Sequence, residues 1–476
     1  MNILFVYPNV TRAVSPQLGI CMLAAVAHQQ GHRCDLYDLT TIPRRKWVSA
    51  FRAKLESFDP DLLAVSCRSN EWSFVEELFH SVNVDNRLKV FGGAHVTVAP
   101  EEAIRIADVV VIGEGEDTFA ELLERVAGGD DTTNISGCWV KRGDRIFKNE
   151  MRNLISDIDK LPFPYWKIFD DIHYYDSYAK RHFEGAKVVG TFENSRGCPY
   201  ACSYCTNDYV RTLYKGKGKW RREKSPERIV QEVRLFRDEY GLDGVYWIDE
   251  VLLTGTSRLE EFRDLYVSEI GVPFCFMERP ENMTDRKVEI IKQAGAKMVA
   301  VGIESGDENI RNNLLNRRHS QKTVISAFQT AKKYGISTHA FTMIGFPGET
   351  KDSILETYEL LKKAQPETVQ TTIFYPLKGT KLLEEVVSKE LFDPNTPMPN
   401  NYYDVSHLNF TESKKRELLR DQYLLSFYNS KLMNFFVRAN FSHTFFRIFA
   451  LSFRVCRALR KWGFLPTIRA IRRRIA

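Results

Sequence analysis

No window of the 476-residue chain reaches about 18 uncharged apolar residues, so no membrane-spanning helix is expected. The start, Met1-Asn2-Ile3-Leu4-Phe5-Val6-Tyr7, lacks a basic segment and a long apolar core. It reads as a first strand and not as a signal peptide, which points to a cytoplasmic protein. Cysteine is sparse, nine residues in all, with no second C-x2-C pair and no histidines at short spacing beside the one that occurs. The usual zinc patterns are therefore missing. No G-x-G-x-x-G follows the first strand, which leaves a dinucleotide site without support. Acidic residues are absent from Lys431 to Ala476, where eleven Lys and Arg stand; of the net charge of +6, the remainder of the chain carries −5. A mildly acidic body with a basic tail implies an anionic partner for the tail.

What is present is a chain of ordinary globular composition, 43% hydrophobic and 27% charged. Its length allows two or three domains at ~100–200 residues each. Three of the nine cysteines lie in Ser195-Arg196-Gly197-Cys198-Pro199-Tyr200-Ala201-Cys202-Ser203-Tyr204-Cys205, spaced C-x3-C-x2-C. Three thiolates can ligate three irons of a 4Fe–4S cube, whereas a full protein cage needs four. The next cysteine is Cys275, so one iron would stay open to a substrate or cofactor. Zinc and incidental thiols are the other readings of these residues.

Residues 1–145 alternate strands with helices. Strands are predicted at Asn2–Tyr7, Arg33–Tyr37, Leu62–Ser66, Lys89–Phe91 and Asp108–Ile112, with helical patterns between and after them. Such alternation makes a doubly wound parallel sheet of Rossmann-like form, α/β in class. Ligands on these sheets sit beyond the carboxyl ends of the strands. There the sequence places Ser66, Gly92-Gly93-Ala94-His95 and Gly113-Glu114-Gly115-Glu116. Glycines let a backbone approach a bulky ligand closely, although ordinary strand-to-helix turns read the same way. His95 is expected in a pocket wall. Gly137–Val140 and Arg145–Lys148 flank a Gly-Asp hairpin signal. Residues 146–186, rich in proline and aromatics, read as an ordered linker packed across two domains. Its tyrosines, Tyr174, Tyr175 and Tyr178, either pack or line a cleft.

Residues 187–380 carry six further strand patterns, at Lys187–Phe192, Gly244–Ile248, Pro273–Met277, Met298–Ile303, Ser337–Met343 and Thr368–Phe374, with helices between. They make a partial (β/α)6 barrel, whose chemistry belongs at the C-terminal strand ends. The cysteines follow the first of these strands. Asp249-Glu250, Glu304 and the run Gly345-Phe346-Pro347-Gly348 end later ones. A carboxylate at Glu304 suits a pair of hydroxyls, and Asp249 or Glu250 an ammonium. Arg279 reads as a carboxylate or phosphate contact, or as a surface ion pair. In residues 381–476, Thr411–Tyr428 is helical by pattern. Beyond it Phe435, Phe436, Phe441, Phe445 and Phe446 interleave with Arg438, Arg447, Arg454 and Arg457. Basic amphipathic helices lie on anionic membrane surfaces, at ~1 kcal/mol per basic residue. Packing on the barrel is the plain alternative. No compact nucleic-acid module is recognised.

The cysteine spacing, with Tyr204 before the last cysteine, closely resembles the radical S-adenosylmethionine enzymes. The resemblance implies that the open iron holds S-adenosylmethionine, whose reductive cleavage gives a 5′-deoxyadenosyl radical. It also implies that Asp249 or Glu250 receives the methionyl amine, that Glu304 lies near the ribose, and that Gly345 and Gly348 lie near the adenine. Tyr375-Pro376-Leu377-Lys378-Gly379-Thr380 resembles the segment that closes the family's barrel, with Leu-Lys where many members have Pro. Residues 1–125 resemble the cobalamin-binding domain found in front of many such enzymes. The matching pieces are Pro16-Gln17-Leu18-Gly19, Gly31-His32, Asp38, Ser66, Gly92 to Thr97, Pro100-Glu101 and Gly113 to Glu116. The loop after the first strand, Pro8 to Ser15, holds no histidine, so no imidazole from it ligates cobalt from below. The type resembled is that of hopanoid methylases and anaerobic porphyrin cyclases. It implies a cobalamin-dependent methyltransferase acting on an unactivated carbon of a lipid-like substrate, fed by a reductase or by flavodoxin or ferredoxin. A radical cyclase or oxidase without methyl transfer is the second enzyme reading. A non-catalytic cobalamin or iron–sulfur sensor docked on membranes is the reading from another class.

Overall fold

The short β-branched and aromatic runs of the first domain, each followed by a helix, fold into one sheet. In the computed structural model, which describes residues 1–429 apart from 254, 400, 401 and 404, five strands are parallel. They are β1 (Asn2–Tyr7), β2 (Arg33–Asp38), β3 (Leu62–Ser66), β4 (Leu88–Gly92) and β5 (Val109–Val111). β6 (Cys138–Arg142) and β7 (Arg145–Lys148) extend the sheet antiparallel past β5. The order is β2-β1-β3-β4-β5-β6-β7, so the winding reverses between β1 and β3, where such sheets open a crevice for ligands. The hairpin expected in the connection belongs to this sheet, which therefore runs to Lys148, past the boundary expected at 145. Buried Ile135, Cys138 and Val140 pin it there. Two short helices not foreseen in the sequence, Ala94–Val98 and Pro100–Ala103, turn the chain between β4 and β5.

The linker lies across both domains. Phe169 packs edge-on against Tyr7 of β1 at 5.6 Å between ring centroids, and Trp166 against Phe236 of the barrel's helical layer at 5.3 Å. His173 Nε2 sits 2.6 Å from Asp38 Oδ2, a buried polar bolt onto β2. Tyr174 is buried and donates to the Trp166 carbonyl, a packing role, while Tyr175 and Tyr178 are exposed. One continuous apolar core runs from Ile3 and Phe5 through Trp166 and Tyr174 to Phe192, Trp247 and Leu425.

The second sheet contains β8 (Val189–Phe192), β11 (Gly244–Trp247), β12 (Phe274–Glu278), β13 (Ala296–Glu304), β14 (Ser337–Ile344) and β15 (Thr368–Ile373), all parallel and in sequence order. Two-residue strands β9 (Ser195–Arg196) and β10 (Arg222–Glu223) pair antiparallel above its first edge. Side chains alternate between the faces. Phe192, Trp247, Phe276 and Val301 pack outward under the helices, while Val189, Cys275, Met298 and Ala300 form a separate inner cluster. Ser225 caps the helix Pro226–Tyr240 by accepting from the Arg228 amide, as its Ser-Pro start requires. After β13 the chain makes a π-helical turn, Ile310–Leu314. The last helix among the described residues, Glu412–Ser426, packs on β15. The basic tail falls outside the described residues.

Candidate active site

The cysteine loop leaves β8 and is anchored before its first cysteine. β9 holds Ser195 and Arg196 against β10. Gly197 has φ +85, and a Cβ there would fall 2.3 Å from the Trp220 carbonyl oxygen, so only glycine fits. Trp220 Nε1 donates to the Cys198 carbonyl at 2.8 Å, and Asn316 Nδ2 to the Ala201 carbonyl at 2.7 Å. The Ser203 amide donates to Leu315 O at 3.2 Å, which docks the π-helical turn on the loop. The Cys205 amide donates to Cys202 O at 3.1 Å, and the helix Thr206–Leu213 starts directly after Cys205. Cys202 is buried, and Cys198 and Cys205 are half-buried. Burial raises the Cys198 thiol and pushes Cys205 up to about 12.

The strand-end acids divide. Asp249 is buried beneath the loop. Its Oδ2 accepts from the Asn194 amide at 3.0 Å and its Oδ1 from the Ser195 hydroxyl. Burial pushes its carboxyl up to about 7. Glu250 is exposed, lines the central cavity, and accepts from Asn207 Nδ2 at 3.2 Å. Glu304 holds a left-handed backbone, φ +65, costly for a residue with a side chain. It faces Arg317 Nη1 at 3.6 Å. Arg317 also donates to the Tyr204 hydroxyl at 3.1 Å and to Gly302 O at 2.6 Å. Gly345, φ +85, donates its amide to Glu349 Oε2, and a Cβ on it would meet Leu418 at 3.3 Å. Gly348, φ +76, is open.

The first-domain loops face the cysteine loop across one cavity of about 440 Å³. Ser66, Gly92, Gly93, Gly113, Glu114 and Gly115 line one side; Arg196, Gly197, Tyr214, Trp220, Ile248 and Glu250 line the other. Ser66 Oγ accepts from Gln17 Nε2 at 3.0 Å. A Cβ on Gly93 would meet Ser66 Oγ and Cys67 O at 2.9 Å, and one on Gly113 would overlap the Tyr214 hydroxyl. The Glu114 carboxylate takes both terminal nitrogens of Arg222, at 2.6 and 2.8 Å, and Glu116 takes Arg196 at 2.7 Å. The Glu114 amide donates to Tyr214 Oη at 2.7 Å. Of these partners Arg222 and Tyr214 were not singled out from the sequence; the signal beside them was the basic run Lys215–Arg222. His95 lies behind the cavity wall. Its ring stacks on Trp72 at 4.6 Å, and burial pushes its pKa down to about 4.

Residues 193–361 match the family model of the Radical SAM superfamily, and residues 9–123 that of the B12 binding domain. The chain is a radical SAM enzyme with a B12-binding domain in front. This radical SAM enzyme is 28% identical to the uncharacterized methyltransferase PH0819 of Pyrococcus horikoshii, over 90% of this chain and 92% of that one. It is 23% identical to the anaerobic magnesium-protoporphyrin IX monomethyl ester cyclase of Cereibacter sphaeroides, over 83% of this chain and 65% of that one. In fold it is similar to the radical S-adenosylmethionine methyltransferase TsrM of Kitasatospora setae. There the TM-score is 0.63 and the identity 16%, with 82% of this chain and 75% of that one covered. The cobalamin-dependent S-adenosylmethionine radical enzyme OxsB gives a TM-score of 0.67 at 15% identity, covering 88% and 65%.

The cofactors are a 4Fe–4S cluster, S-adenosylmethionine and cobalamin, and the site's chemistry fits them. Cys198, Cys202 and Cys205 stand together on one short loop, with Cys202 buried and the other two half-buried. A cube takes each thiolate on a different iron, which a single short loop supplies. On the other side, Gly92, Gly93, Gly113 and Gly115 present backbone to the cavity, and a Cβ on Gly93 or Gly113 would strike the protein's own Ser66 or Tyr214. No helix among the described residues is long and apolar enough to cross a membrane.

Proposed function

We propose that this chain is a cobalamin-dependent methyltransferase that methylates an unactivated carbon of a lipid-like substrate, with a hopanoid as the first to try. One observation carries the reading: the glycine ends of the first sheet share one cavity with Arg196 and Gly197, the residues directly before Cys198. When bound, the group at the cysteines supplies hydrogen abstraction and the group at the glycines supplies a methyl. The protein's own part is positional. Cys198, Cys202 and Cys205 hold iron, Glu250 offers a carboxylate to an ammonium, and Glu304, fixed by Arg317, offers one to hydroxyls. Ser66, Gly92, Gly93, Gly113 and Gly115 leave room for a wide planar ligand. Leu23, Val98, Val210 and exposed Ile248 keep part of the wall apolar, which favours an apolar substrate.

The test is anaerobic turnover with reductant, cobalamin and S-adenosylmethionine bearing a labelled methyl group. Methyl transfer predicts 5′-deoxyadenosine, S-adenosylhomocysteine and a product heavier by one labelled methylene unit. The similarity to a porphyrin cyclase supports a second reading, ring closure or oxidation without methyl transfer. That reading predicts 5′-deoxyadenosine with a product lighter in hydrogen and free of label. A sensor would yield no 5′-deoxyadenosine.

A further inference from the structure

We propose that Arg279 and Arg317 are positioning residues for the iron–sulfur cluster, whose guanidiniums, set against Cys202, raise the potential at which it accepts an electron. The proposal rests on reading Cys198, Cys202 and Cys205 as cluster ligands. Arg279 Nη1 donates to Cys202 Sγ at 3.0 Å, and Arg317 Nη1 lies 3.9 Å from the same sulfur. Their side chains are only 7% and 6% exposed, so solvent does little to screen them. The sequence alone left Arg279 open as a surface ion pair; the end of β12 buries it instead.

Neither guanidinium is free to swing away. Arg279 stacks over the Tyr200 ring at 3.7 Å, inside the cysteine loop, and its outer edge binds Glu281 at 2.6 Å. Arg317 is held by Gly302 O and the Tyr204 hydroxyl, again a loop residue. A third guanidinium, Arg311, is fully buried nearby and donates to Ser305 O and His319 O. Three carboxylates answer these charges: Glu281 sits on Arg279, Glu304 faces Arg317 at 3.6 Å and Glu308 faces Arg311 at 3.4 Å, so none of the three binds Cys202. Cys202 sulfur meets the positive groups directly.

Three thiolates and the sulfides of a cube make a buried anionic site. Taking one electron adds a further negative charge. Hydrogen bonds to the sulfurs and net local charge are the protein's means of setting such potentials. A buried positive charge beside a ligand sulfur stabilises the reduced form more than the oxidised form, by Coulomb's law in a medium of low dielectric. A purely structural arginine would need the Tyr200 and Glu281 contacts, not a nitrogen on the sulfur.

The experiment is anaerobic reconstitution of the full chain, iron and sulfide analysis, then a redox titration with dithionite followed by electron paramagnetic resonance. Arg279→Gln with a full iron complement is expected to show a reduced-to-oxidised ratio about tenfold lower than the unaltered protein at one solution potential. For one electron that is about 59 mV. Arg279→Lys should recover most of the ratio, and Arg317→Gln should show a smaller loss of the same sign. A fully loaded Arg279→Gln protein with an unchanged ratio overturns the proposal. Should that variant bind less iron, Arg317→Gln decides: full iron and an unchanged ratio overturn it equally. Failure of the unaltered protein to bind iron and sulfide would instead overturn the cluster reading itself.

Discussion

Gly306 shows how tightly single positions are bound near the site. A Cβ there would fall 2.3 Å from Thr357 Cα and 2.4 Å from its amide nitrogen, both backbone atoms that cannot step aside. Gly306→Ala is expected to cost about 3 kcal/mol, read as a fall in the denaturation midpoint. Asp249 carries a different constraint. Its pKa in the folded chain, about 7, lies above its ordinary value of 3.8 because burial disfavours the charge. The neutral form is the one the fold prefers. The stability it contributes is full below pH 3.8 and is lost as the pH rises through 7, on the order of 4 kcal/mol in all. Asp249→Asn should therefore unfold with a flatter pH dependence and be the more stable protein at pH 8, measured by denaturant titration of the iron-free chain. Cys202→Ala should abolish formation of 5′-deoxyadenosine after anaerobic reconstitution; retained formation would contradict the cluster reading. At this scale the sequence was partly legible. The three cysteines announce themselves by spacing, since thiolate chemistry depends on little else. The role of Asp249 did not, because its neighbour Glu250 has the same chemistry and only the strand's alternation decides which of the two faces the cavity.

The elements that bring the two halves together are short. The β9–β10 pair carries Arg196 and Arg222 to Glu116 and Glu114, and Arg222 is nearly closed to solvent, at 3% exposure. Glu114 and Arg222 stand 108 residues apart in the chain, and no local pattern links them. This is why strands with β-branched runs could be foreseen, while the clasp could not. Arg222→Ala leaves a carboxylate among buried groups and is expected to cost roughly 3–5 kcal/mol. A double-mutant cycle with Glu114→Ala should recover most of that loss, because the second change removes the stranded charge. Purely additive losses in chemical denaturation would show that the pair carries no coupling. The turn Ile310–Leu314 is π-helical although its residues favour an ordinary helix. Its C-terminal carbonyls are committed to Ser203, and that tertiary demand reshapes the turn.

Across the whole molecule, class and order were more legible than contact. Alternating strands and helices were enough to predict two α/β layers, and the observed strand orders follow the chain except at the single reversal around β1. The tail, Lys431 to Ala476, is read from its charge. Its eleven basic residues without an acid support an anionic surface as partner. Removing residues 431–476 should release the protein from vesicles containing phosphatidylserine. Equal co-sedimentation of the shortened chain would count against a membrane role. The continuous apolar core has the last consequence. Because Phe169, Trp166 and Tyr174 are shared between the two sheets, the seam is welded and not hinged. The front half is therefore no interchangeable cartridge: a chimera that grafts another such half onto this barrel must bring its own strap, or inherit exposed aromatic rings and precipitate.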